Sequence, residues 1–131
     1  MNPFWKIVGL GIAAVLVFDT VASIASLTMG FPYGYASIGS FLIYTMIGYF
    51  AFRRCGFVLS IGAAVVVELV DATLGWFISW QIGPGALPAD QITTSILAMT
   101  LGFVLVLAVV CSSIGSAVAR VAHGPRQKNN A

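Results

Sequence analysis

Four long apolar runs separated by short breaks restrict this chain to one kind of architecture. They cover about 4–29, 36–52, 57–80 and 92–119. A helix needs ~20 mostly apolar residues to cross a hydrocarbon core. Backbone groups in lipid must be satisfied within a helix or a closed barrel, and continuous runs of this length are helical. The expected fold is all-α: an integral membrane four-helix bundle over 1–122, followed by a polar cytoplasmic tail at 123–131. Composition agrees, since 60% of residues are hydrophobic and only 8% are charged. A soluble domain carries about 25% charged residues, so the lipid bilayer is the first expected partner.

The breaks are chemically sensible. GFPYGY (30–35) is punctuated by glycine and proline, RRCG (53–56) by two charges and a glycine, and QIGPGALPADQ (81–91) by two prolines and two glycines. Asp90 is placed to cap the fourth helix. Cytoplasmic loops collect Lys and Arg. With four spans, both termini and the RRCG loop share one side. That side holds Lys6, Arg53, Arg54, Arg120, Arg126 and Lys128, which are all six basic residues of the chain. The expected location is a bacterial inner (plasma) membrane, multi-pass, with both termini cytoplasmic. The first run also has signal-peptide features: Lys6, the apolar 7–18, and small residues around Ser23 and Ala25. Asp19 interrupts that pattern and apolar character resumes to Met29, so a retained span is expected.

A second pattern predicts two tandem helical hairpins related by a pseudo-two-fold along the membrane normal. Asp19 precedes Pro32 by the same thirteen residues that separate Asp71 from Pro84. Both aspartates then fall near the middle of odd-numbered spans, at similar depth.

The acids carry the functional expectation. Glu68 and Asp71 are three apart and share a helical face with Ala64, Gly75 and Ser79. Asp19 shares its face with Val15, Ser23 and Ser26. Small residues allow close helix approach, so both faces should point into the bundle. A carboxylate at the centre of a lipid-embedded helix costs about 2.5 kcal/mol or more. The arrangement brings three of them, with no basic partner, toward one interior site, where they should titrate as a coupled set. The site expected is a proton or cation site of Asp19, Glu68 and Asp71, supported by Ser23, Tyr44, Thr45 and Thr100, with Ser40 as a further hydrogen-bonding candidate.

Two functions fit. One is a small transporter or channel-like subunit using those carboxyls. The other is a non-catalytic scaffold or accessory subunit whose acids are hydrogen-bond glue, worth about 0.6 kcal/mol per contact. Catalysis is not expected: there is no GxGD pattern, and the single histidine, His123, lies at the cytoplasmic boundary. No catalytic residue, metal site or cofactor is assigned, and six scattered basic residues do not make a nucleic-acid surface. A chain this small needs a homo-oligomer or a larger membrane complex to enclose a path. Ala108, Ser112 and Ser116 form a small-residue stripe that suits either oligomerisation or packing within one copy.

Overall fold

The computed structural model describes residues 2–86 and 92–123. Helix α1 spans Pro3–Met29. Asn2 caps it, its side chain accepting from the Phe4 N–H at 3.0 Å, and Pro3 occupies a first-turn position that needs no donor. Gly30 ends it in a left-handed conformation (φ 72°) and donates to the Ser26 carbonyl. A 3-10 turn, Tyr33–Ala36, leads into α2, Ser37–Cys55. This helix continues past the expected end at Phe52. Arg53 and Arg54 lie in its last turn, where cations complement the helix dipole, and Gly56 (φ 89°) stops it.

The third run begins as α3, Phe57–Val70, widens into a π-helical turn at Asp71–Gly75, and resumes as α4, Trp76–Ile82. The Trp76 N–H reaches back to the Asp71 carbonyl, five residues earlier. Thr73 donates its hydroxyl to the Leu69 and Val70 carbonyls at 2.8 and 3.1 Å, satisfying backbone oxygens beside the widened turn. The last helix, α5, spans Thr94–His123. The expected cap at Asp90 and the tail from residue 124 onward lie outside the described residues. Among the described residues, four helices are long and apolar enough to cross a membrane.

Helices α2 and α3 pack against each other, and each packs against both α1 and α5. The α2–α3 contact has no comparable counterpart between α1 and α5, so the two hairpins are not packed as strict equivalents. The core is built from Val8, Val15, Tyr44, Ile47, Val67 and a set of alanines that includes Ala51, Ala63, Ala64 and Ala108. Glycine sets the closest approach, between α2 and α5. A Cβ on Gly48 would meet the Ser112 backbone, and one on Gly115 would meet the Thr45 carbonyl.

The Ala108–Ser112–Ser116 stripe is used inside the bundle, against α3 as well as α2. Ser112 donates to the Ser60 carbonyl at 3.0 Å, and Ser116 shares a 2.8 Å hydrogen bond with the Ser60 hydroxyl. The stripe is therefore committed to packing within one copy, and an oligomer contact has to use another surface. The other end of α5 does the opposite: residues 94–103 are all exposed, among them Met99 at 75% and Phe103 at 63%. Exposed apolar side chains also line the outside of α1 to α4, including Leu10, Val17, Leu42, Val58 and Phe77.

Candidate functional site

The faces read from helical spacing are the buried ones. Val15, Asp19, Ser23 and Ser26 on α1 are buried. So are Ala64 and Glu68 on α3, Gly75 at the end of the π turn, and Ser79 on α4. These faces meet, and the three carboxyls come together where they do.

Gly75 makes the meeting possible. A Cβ there would collide with Asp71 Oδ1 and would lie 2.5 Å from Asp19 Oδ2. The two carboxyls thus converge over a position where any side chain would push them apart. Asp19 and Asp71 lie side by side at the end of the π turn. From α2, the Tyr44 hydroxyl donates to Asp71 Oδ2 at 2.7 Å. Glu68 is buried on α3, one turn before Asp71, and lines the same cavity. Tyr44 is 3% exposed, so water does not replace its bond to Asp71.

The chemistry of this cluster turns on one oxygen. Asp71 Oδ2 has a donor, whereas Asp71 Oδ1 is buried and has none. It faces Asp19 Oδ2 across Gly75. Ionised carboxylates are acceptors only. Two such oxygens brought close together are satisfied by a proton or a cation held between them, not by each other.

A cavity of about 390 Å³ reaches the cluster. Asp19, Glu68 and Asp71 line it, together with Ser40, Trp76 and Thr100. It extends toward the Tyr33–Ala36 turn and runs beside the exposed first half of α5. Ser79 also lines it. That side chain is 1% exposed, yet its hydroxyl has no hydrogen-bond partner.

The expected supporting residues divide. Tyr44 is central rather than supporting, because its hydroxyl bonds Asp71 from a neighbouring helix. Thr100 and Ser40 line the cavity wall without touching a carboxyl in any described hydrogen bond. Ser23 is fully buried one turn from Asp19, and its hydroxyl is unpartnered. Thr45 does not join the site. It donates to the Phe41 carbonyl of its own helix at 2.8 Å, and it neighbours Cys111 rather than the acids. The reason is angular: one residue along a helix turns the side chain about 100°, so Tyr44 and Thr45 cannot both face the same carboxyls. Gly75, Trp76 and Ser79 were not expected as site residues. Gly75 and Ser79 lay on the acid-bearing face, and that spacing was the available signal.

Among the described residues, no group of three His, Cys, Asp or Glu side chains is arranged to hold a metal ion. No family model, curated protein or solved structure matches this chain.

Proposed function

We propose that the protein is a small multi-pass membrane transporter or channel-like subunit that binds a proton or a monovalent cation at Asp19, Glu68 and Asp71. One observation carries this reading: a cavity is lined by all three acids, beside a buried carboxyl oxygen that has no donor and lies close to a second carboxyl. A purely structural acid would be expected to have all its acceptors satisfied and no route leading to it. The glue reading rests on the Tyr44–Asp71 hydrogen bond, which ties α2 to the third run. That bond accounts for one oxygen of one acid and leaves Asp19, Glu68 and the cavity without a role.

The bilayer placement rests on the apolar exterior, which would form a far larger hydrophobic patch than soluble monomers tolerate. Asp19 lies about 24 Å along a helix of about 40 Å, near its middle. The proposed location is the bacterial inner membrane, with both termini cytoplasmic because every Lys and Arg then falls on that side. The cavity then opens toward the outer face. Alternating access requires a second path from the inner face, and a homo-oligomer or larger complex is the proposed means. The exposed first half of α5, beside the cavity, is the surface such a partner would cover.

The test is flux in proteoliposomes loaded with a pH-sensitive dye, with imposed proton and monovalent-cation gradients. The triple variant Asp19→Asn, Glu68→Gln, Asp71→Asn is the control, with tryptophan fluorescence and size exclusion reporting its fold. Flux in the wild type that disappears in a folded triple variant supports the proposal. Absence of any flux from the wild type, together with loss of stability in the variant, would establish glue instead.

A further inference from the structure

A second cavity, of about 460 Å³, lies between α1 and α2 at the opposite end of the bundle from the Tyr33–Ala36 turn. Its wall on α1 is made by Pro3, Ile7, Leu10 and Ala14, which recur at helical spacing, with Gly11 on its floor. Ile43, Met46, Ile47 and Phe50 make the α2 wall. These walls are apolar throughout. The two charged residues of the lining, Lys6 and Arg54, both sit at one end, where the N-terminus of α1 meets the C-terminus of α2.

Those two cations are exposed. The acids of the described residues, Asp19, Glu68 and Asp71, all line the other cavity, so neither Lys6 nor Arg54 has an acidic partner among them. Arg53 is different, since its guanidinium lies over the Tyr49 ring at 5.9 Å. The trough runs along α1 from Lys6 to Ala14, about 12 Å at 1.5 Å per residue. One leaflet's share of a hydrocarbon core about 30 Å thick is about 15 Å. The groove thus has the length of an acyl chain in one leaflet, and a paired positive charge where that chain's headgroup would lie.

We propose that this α1–α2 groove binds one anionic phospholipid, its phosphate held between Lys6 and Arg54 and one acyl chain lying along the trough to Ala14. Charge complementarity selects the lipid class, because a zwitterionic headgroup places a cation of its own near Lys6 and Arg54. Gly11 and Ala14 set the depth, because larger side chains there would fill the trough. The proposal depends on the membrane-spanning reading and not on the carboxyl site, so lipid binding and flux fail separately.

The experiment is native mass spectrometry of the delipidated full chain in neutral detergent. The protein is offered equal amounts of phosphatidylglycerol and phosphatidylcholine with identical chains. One retained phosphatidylglycerol is expected. Each basic residue near an anionic headgroup contributes about 1 kcal/mol, roughly fivefold in affinity, so the pair gives a preference on the order of 25-fold. Lys6→Gln with Arg54→Gln should abolish that preference, and both side chains are exposed, so the fold is not at risk. Ala14→Leu, also at an exposed position, should reduce retention of the lipid while leaving the charges in place. Excess inorganic phosphate should not displace the lipid. Equal retention of both lipids, or a preference unchanged in the double variant, would overturn the headgroup assignment. Full retention in Ala14→Leu, or displacement by phosphate alone, would overturn the groove.

Discussion

Replacing Gly75 with alanine asks whether the meeting of Asp19 and Asp71 is what the protein uses. The new Cβ would lie 2.5 Å from Asp19 Oδ2 and closer still to Asp71 Oδ1. Non-bonded heavy atoms settle at about 3.5–4.0 Å, so each oxygen must retreat by about 1 Å or more. The displaced atoms are side-chain tips, which can rotate. The overpacking cost should therefore fall at the low end of its usual range of about 1–3 kcal/mol. Alanine recovers about 1 kcal/mol of helix propensity over glycine. Net stability should change by no more than about 1 kcal/mol, while the carboxyl pair is pried apart. Flux should fall at least tenfold, the effect of about 1.4 kcal/mol at the site. Gly62→Ala is the matched control, since that glycine lies in the same run, on α3, and a Cβ there would meet nothing within 4 Å. It should leave flux unchanged and stability equal or slightly higher. Thermal unfolding in detergent and proton uptake in proteoliposomes read the two effects. Wild-type flux in Gly75→Ala at unchanged stability would refute the claim that the converged pair is the working site.

Other outcomes follow from the packing. Gly115→Ala drives a Cβ into the Thr45 backbone, which cannot rotate aside, so it should destabilise by about 1–3 kcal/mol in thermal unfolding, more than Gly75→Ala does. Tyr44→Phe removes the donor to Asp71 Oδ2 and should cost about 0.6–2 kcal/mol; a stability equal to wild type would show that the bond is not formed. Cys55 ends α2 on the basic side and is partly exposed. In intact cells a membrane-impermeant thiol reagent should leave it unlabelled, whereas a cysteine at Ser37 in a Cys55→Ser background should react. The reverse pattern would invert the proposed orientation.

Much of this architecture is legible in the sequence because hydropathy reports a solvent, and here the solvent is uniform along each run. The ends of α1 and α2 follow from Asn2–Pro3, Gly30 and Gly56, whose backbone chemistry is local. The faces bearing Asp19 and Glu68 follow from small residues at helical spacing. What spacing does not give is rotation between neighbouring helices. Tyr44 and Thr45 are adjacent in sequence and equally polar, and only the α2–α3 contact decides that Tyr44 meets the acids. For the same reason the Ser112–Ser116 stripe was ambiguous between an inner and an outer role until Ser60 was seen to pair with it. The π turn was not legible at all. DATLG contains no proline and begins with residues that fit an ordinary helix, so nothing local announces its widening.

That turn has a consequence for how the protein can be altered. A π turn spans its length of helix with one residue more than an α turn does. Removing Thr73, which is exposed and bonds only to carbonyls of its own helix, would let Asp71–Gly75 close into an ordinary α turn while α3 and α4 keep their places. Such a deletion leaves every carboxyl, Tyr44 and both tryptophans of α4 in the chain. It subtracts only the local width of the turn that carries Asp71. The surplus residue is thus a separable part, and backbone geometry at this site can be varied independently of its chemical groups.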